Sequence, residues 1–325
     1  MRTTAKHSFI DGVALHGESD AEFDFLIPAF VDIHCHGGGG KYFSESAEIA
    51  RETHYKHGTR IQLASLVTAD IEVLIKQIEY LKNKEIFGIH LEGPYLSKKF
   101  CGAHDPNLLK APEISELQKL IDAGGGAVKM VTIAPELPNA IEAIKYLVSQ
   151  HVIVAIGHSD ASAEDTQKAI AAGAKVVTHF NNAMSKMPNK GSLSEVALGS
   201  ELFLELIEDG HHVSNSDSLA IIESAPNRII AITDAMSAAG ASDGDYKIGN
   251  LDVTVKSGVA KLNGTGALAG STLTMLDAFH NFHEIAGFEK AVQYTSLNPA
   301  KLLNIDPYGG YIGIKGREVT HISIP

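Results

Sequence analysis

A closed (β/α)₈ barrel carrying a small β-rich subdomain made by the two chain ends is the fold this sequence predicts. Three observations predict it. Eight short apolar runs recur along the chain, helical stretches separate them, and the polar residues best suited to chemistry stand where the runs end.

The eight runs are Phe30–Ile33, Ile61–Val67, Ile86–Leu91, Val128–Ile133, Val152–Ile156, Lys175–Thr178, Leu202–Ile207 and Arg228–Thr233. They are rich in Val and Ile and nearly continuous in apolarity, the pattern of strands covered on both faces. Between them, residues 138–150 place Ile141, Ile144, Leu147 and Val148 on one helical face. In SDASAEDTQKAIAAG, Ser162 and Asp165 form an S-x-x-D helix start and Gly173 supplies the stop. Eight strand–helix units favour a closed barrel over an open sheet, spanning residues 28–304.

Two stretches fall outside the alternation. Residues 1–27 are weakly alternating, and residues 305–325 alternate like half-buried antiparallel strands. They are expected to meet in the accessory subdomain. Residues 246–266 read as a hairpin inserted after the eighth strand, with Lys-Ser-Gly and Asn-Gly turns. It either joins the subdomain or folds over the barrel mouth.

Composition excludes several classes of function. With 27 basic and 39 acidic residues the formal charge is −12, which argues against nucleic acid or an anionic membrane surface as a partner. A small anionic ligand needs only one or two local cations and stays open. No apolar run reaches the roughly 20 residues of a membrane span, and the first residues lack a secretory pattern. Two cysteines, Cys35 and Cys101, make no disulfide framework, so a cytoplasmic location is expected.

The polar residues decide the chemistry. His34 and His36 end the first run as D-I-H-C-H, an i, i+2 spacing that puts both imidazoles on one side of a strand. Glu92 follows the third run, His158 the fifth, His179 the sixth and Asp234 the eighth. A single histidine after a strand is ordinarily a hydrogen-bonded structural residue, and a single Asp there ordinarily caps the next helix. Six such residues on one barrel rim point instead to a metal site. Imidazole and carboxylate ligands suit Zn²⁺, and also Fe²⁺, Mn²⁺ or Co²⁺. Cys35 faces away from the two histidines and reads as a small buried hydrophobe. The glycine run 37–40 reads as a flexible turn rather than a phosphate cradle. Ser271 is expected to cap a helix starting near Thr272.

HLEGPYL followed by GAHDP, then AIGHSDA, THFNNAM, DGHHV, ITDAM and LAGSTLTM, resembles the N-acetylglucosamine-6-phosphate deacetylases of the amidohydrolase superfamily, from about Pro28 to Met275. The resemblance implies that Glu92, His158 and His179 hold a principal metal, with His34, His36 and Asp234 leaving room for a second. It implies that His104 polarises the amide carbonyl and that Asp234 serves as general base and then acid. Asn182, Ala183 and His212 would contact the substrate near its phosphate, and Leu268, Ala269 and Gly270 would line the sugar pocket. Lys190 stands near where many relatives carry a phosphate-gripping arginine, with Lys186 a second candidate. A homodimer and a place in amino-sugar metabolism are implied in the same way. The alternatives are deacetylation of the galactosamine epimer, cyclic-amide hydrolysis, and a non-catalytic sugar-phosphate-binding protein. Cyclic-amide hydrolases usually bridge two metals with a modified lysine on the fourth strand, where the only lysine here, Lys129, lies far from the mouth.

Overall fold

The structure is a computed structural model and describes residues 5–17, 21–187 and 189–323. The predicted runs form eight parallel strands in one sheet, paired in chain order. They are Phe30–Cys35, Thr59–Val67, Gly88–Glu92, Val128–Ile133, Ile153–Ile156, Val176–Val177, Phe203–Leu206 and Ile229–Ala231. The first and eighth strands meet through a Cys35–Ala235 bridge, flanked by Asp234 N–H to the His34 carbonyl (2.8 Å) and His36 N–H to the Ala235 carbonyl (2.9 Å). Those contacts close the barrel and place Asp234 beside the two histidines.

Each strand is followed by a helix that seals its outer face. Helix Ala140–Ser149 buries Ile144 and Leu147 of the predicted face together with Ala140 and Ala143, while Ile141 is half-buried and Val148 exposed, so the buried stripe is rotated toward the alanines. Helix Ala163–Ala172 has the predicted capping box: the Ser162 hydroxyl accepts from Asp165 N–H, and the Asp165 carboxylate accepts from Ser162 N–H. Gly173 ends it with φ 110°. The helix after the eighth strand corrects an expectation. It spans Met275–Ala286 and is capped by Thr274, whose hydroxyl accepts from Asp277 N–H. Ser271 lies upstream, donating to the Thr233 carbonyl (2.5 Å) and accepting from Leu273 N–H (2.9 Å), so it pins a loop to the eighth strand.

The chain ends form one five-stranded sheet, in the order Glu318–Ser323, Tyr311–Lys315, Phe23–Pro28, Ala5–Ile10 and Val13–His16. Residues 1–4, 18–20 and 324–325 of the expected subdomain lie outside the described residues. The insertion after the eighth strand is a separate three-stranded antiparallel sheet, Gly244–Ile248, Leu251–Lys256 and Val259–Leu262, with its own small core around Val253 and Val255. Residues 37–42 form a tight hairpin, Gly37–Gly38 pairing with Lys41–Tyr42 around Gly39 and Gly40. Among the described residues no helix is long and apolar enough to cross a membrane.

Candidate active site and metal centre

Glu92 ends the third strand and is 3 % exposed, at the centre of the barrel mouth. Its two oxygens face two different groups of imidazoles. Oε1 lies 3.2 Å from His158 Nε2 and 3.1 Å from His179 Nε2. Oε2 lies 3.5 Å from His34 Nε2 and 3.1 Å from His36 Nε2. Asp234 Oδ1 joins the second group, 3.4 Å from His34 and 3.1 Å from His36. The carboxylate of Glu92 therefore stands between two lobes of nitrogen and oxygen donors.

The ring protons show what those lobes fit. His34 Nδ1 faces the Glu205 carboxylate at 3.1 Å, His36 Nδ1 the Ser65 carbonyl at 3.2 Å, and His158 Nδ1 the Phe100 carbonyl at 2.8 Å. Carboxylate and carbonyl oxygens only accept, so each Nδ1 carries a proton and each ring turns its Nε2 inward, the nitrogen a metal would take in exchange for any proton there. His34 and His36 Nε2 atoms are 3.2 Å apart, and His158 and His179 Nε2 atoms 3.0 Å apart. Four ring nitrogens this close to two buried carboxylates are held there either by protons shared with the carboxylates or by a cation among them. The cluster is thus able to hold a divalent metal.

His104 has the opposite tautomer. Its Nδ1 receives the Thr68 N–H (3.4 Å) and the Thr68 hydroxyl (2.8 Å), so the proton sits on Nε2, 3.4 Å from Glu92 Oε2. This imidazole offers the site a hydrogen-bond donor, not a lone pair. The loop after the third strand brings it there, tied down by Ser97 N–H to the His158 carbonyl (2.9 Å). Gly102 on that loop has φ 55°, and a Cβ there would sit 3.0 Å from the His158 ring.

Charge follows geometry. Burial alone would raise the Asp234 pKa, but His34 and His36 more than reverse it and hold the carboxyl well below its usual range. Glu92 is also held low, chiefly by His34 and then by the other imidazoles, against its own burial. Burial works against a proton on His36, yet hydrogen bonds to Asp234 and Glu92 carry it up to about 9. Burial pushes His158 down to about 4. Both carboxylates are ionised at neutral pH.

Several of these residues sit in strained backbone. His158 (φ 46°), His179 (φ 26°) and Asp234 (φ 47°) are non-glycine residues in the left-handed region, as is Ala183 (φ 48°). Such positions cost about 1–3 kcal/mol each and gather at functional sites. Here the turn out of each strand aims the side chain across the barrel instead of outward.

Above the donors lies a chamber of about 230 Å³, lined by His36, Glu92, His104, His158, His179 and Asp234 below and by Asn182, Ala183, His212, Leu268 and Gly270 above. Ile248 from the inserted sheet also lines it, so that insertion folds over the mouth. Ala269 does not. It is fully buried in the small core of the inserted sheet, because the alternation through Leu268–Gly270 turns it away. Gly270 (φ 66°) must be glycine, since a Cβ would meet the Asp234 carbonyl oxygen at 2.8 Å. Lys186 and Lys190 are exposed on the loop after Met184, and among the described residues no lysine or arginine lines the chamber.

Three supporting residues were not read from the sequence. Asp209 accepts from His212 Nδ1 at 2.7 Å and from both His211 and His212 N–H groups, fixing the ring that lines the chamber. Thr68 sets the tautomer of His104. Glu205 meets His34 from behind. A charged residue inside the apolar run FLEL was the available signal for Glu205.

A sequence model of the amidohydrolase family matches residues 25–315. The chain is 34% identical over 305 residues to the N-acetylgalactosamine-6-phosphate deacetylase of Escherichia coli O157:H7, covering 89% of this chain and 80% of that protein. It is 34% identical to the N-acetylglucosamine-6-phosphate deacetylase of Vibrio furnissii, over 86% of this chain and 74% of that one. Among solved structures, a mutant of the N-acetyl-D-glucosamine-6-phosphate deacetylase of Mycobacterium smegmatis in complex with N-acetyl-D-glucosamine-6-phosphate superposes with a TM-score of 0.92 at 35% identity, over 98% of this chain and 96% of that one.

Proposed function

The chain belongs to the amidohydrolase family, and we propose that it hydrolyses N-acetylglucosamine 6-phosphate to glucosamine 6-phosphate and acetate. The observation that carries this reading is the sorting of imidazole tautomers. His34, His36 and His158 are held at Nδ1 by acceptors behind them and turn Nε2 inward, while His104 accepts at Nδ1 and turns an Nε2–H toward the same carboxylate. Deacetylation needs both: donors for a metal and a proton-bearing partner for the carbonyl oxygen.

Glu92, His158 and His179 would hold one ion, and His34, His36 and Asp234 with the other Glu92 oxygen would hold a second. A divalent cation there lowers the pKa of water from 15.7 to about 7 and polarises a carbonyl. Zn²⁺ is the ion we assign, because the donors are imidazole and carboxylate without a thiolate.

The chain's own residues do the remaining work. Asp234, held ionised by its imidazole neighbours, accepts a proton from the water whose oxygen attacks the acetyl carbon. His104 Nε2–H donates to the carbonyl oxygen as negative charge gathers there. The C–N bond then breaks. Asp234 delivers the proton to the departing sugar nitrogen, and acetate leaves without a covalent enzyme intermediate. His212, held by Asp209, together with Asn182 and Ala183, would orient the sugar phosphate, with Leu268 and Gly270 against the ring. Lys190 would reach the phosphate only by movement of its loop. Two free cysteines support a cytoplasmic enzyme, and the resemblance supports a homodimer.

A second reading, deacetylation of the galactosamine epimer, is favoured by one observation: the 34% identity to the Escherichia coli O157:H7 enzyme equals that to the Vibrio furnissii one. Initial rates on the two epimers separate these readings.

Paired variants test the roles. Asp234→Asn should retain the principal metal and fold while kcat falls about 10²–10⁴-fold. Glu92→Ala should lose metal and activity together. Near wild-type kcat in the first, or unchanged metal content in the second, would remove that residue from its role.

A further inference from the structure

Glu205 lies in the seventh barrel strand between Leu204 and Leu206, and all three are fully buried. A carboxylate at such a position is unfavourable unless something answers its charge. Among the described residues no lysine or arginine pairs with it. Its Oε2 accepts from His34 Nδ1–H and from the backbone N–H of His179, both at 3.1 Å, while Oε1 is buried without a partner. As a device for stability alone this is poor, because half of its acceptor capacity is unused.

Its position relative to the two lobes gives it a different meaning. His34 stands in the lobe facing Glu92 Oε2, and His179 in the lobe facing Oε1. They come from separate strands, the first and the end of the sixth, on either side of the seventh and eighth. One oxygen of Glu205 reaches behind both. At His34 it holds a proton on Nδ1, which leaves Nε2 as the nitrogen turned toward the metal lobe. At His179 it anchors a backbone with φ 26°, which no regular strand would hold.

We propose that Glu205 is the positioning residue of the metal centre: a single carboxylate oxygen that sets the tautomer of His34 and the backbone of His179, coupling one ligand of each lobe. This rests on reading the cluster as a metal site. Glu205 touches neither substrate nor reacting atoms; it acts through the ligands. A carboxylate behind a metal-binding histidine orients the ring and raises its basicity, and loss of such partners typically weakens metal binding ten- to a hundredfold.

The test uses the full chain with Glu205→Gln and Glu205→Leu, each stripped with chelator and titrated with Zn²⁺. Imidazole ¹H–¹⁵N spectra of the stripped proteins are read alongside. The expected results are a ten- to hundredfold rise in the Zn²⁺ dissociation constant and a shifted or missing His34 Nδ1–H resonance, with the circular dichroism spectrum unchanged. A merely structural role would not move the tautomer signal. Should neither variant fold, Glu205→Asp keeps the charge but withdraws it by one methylene, and a loss of affinity is expected there too. Wild-type affinity with an unmoved His34 resonance in the variants that fold overturns the proposal. A wild-type protein that binds Zn²⁺ with this dependence yet releases no acetate would sink the proposed reaction and leave Glu205 in place. One that takes up no Zn²⁺ would sink the metal reading and with it the coupling assigned to Glu205.

Discussion

Ring protons divide the histidines of this site more sharply than distance does. His34, His36, His158 and His104 all lie within 3.5 Å of a Glu92 oxygen. Only the groups behind them separate ligand from donor: acceptor oxygens behind the first three, Thr68 behind His104. This makes His104→Gln a discriminating change. A side-chain amide keeps a donor but places it less well, so kcat should fall about 10²–10³-fold, the range seen when one oxyanion donor is removed. Metal content should stay at the wild-type level, and metal analysis beside steady-state rates checks both halves. A loss of metal would instead make His104 a ligand. His34, His36, Glu92, His158, His179 and Asp234, which the fold gathers at one rim, could be picked out because each follows an apolar run. Asp209 and Thr68 could not, since nothing in linear sequence marks which residue will stand behind another, and Glu205 showed only as a charge inside an apolar run. Lys190, near the THFNNAM motif in sequence, lies on an exposed loop in the fold, outside the chamber lining.

At the scale of elements, strands announced themselves and loops did not. Parallel strands buried on both faces must be apolar at nearly every position, so all eight could be read within a few residues. The sixth proved shortest, Val176–Val177, because Thr178 and His179 turn out of the ladder toward the site. The Ser162–Asp165 box was readable because both partners are local. Ser271 misled for the same reason, a hydroxyl shortly before a helix, when its partners belong to the eighth strand. Thr274 holds the cap, also bonding the Asp277 carboxylate at 2.7 Å. Thr274→Ala should therefore destabilise the protein by about 1 kcal/mol, measured by chemical denaturation, whereas no change would move the cap elsewhere. The inserted sheet could not be placed from its sequence, because its alternation is the same whichever surface it covers. Ile248 in the chamber wall places it over the mouth.

For the whole molecule, the barrel does what no single strand can. Glu92, His158, His179 and Asp234 are separated by up to 142 positions in sequence, from 92 to 234, yet the closed sheet brings their side chains to one rim. Closure between the first and eighth strands is itself part of the site, since the Asp234 N–H bonds the His34 carbonyl at 2.8 Å. The chain-end sheet packs away from that mouth, its Phe25 ring against Phe279 and Phe288. The proposed function requires that this rim hold a metal and use it on an N-acetyl amide. The measurement that tests it most directly is acetate release from N-acetylglucosamine 6-phosphate, made on one sample as purified, after chelation, and after Zn²⁺ is returned. The expected result is turnover that chelation abolishes and Zn²⁺ restores. Turnover that survives complete removal of metal, or none in a metal-loaded sample on either epimer, would contradict it.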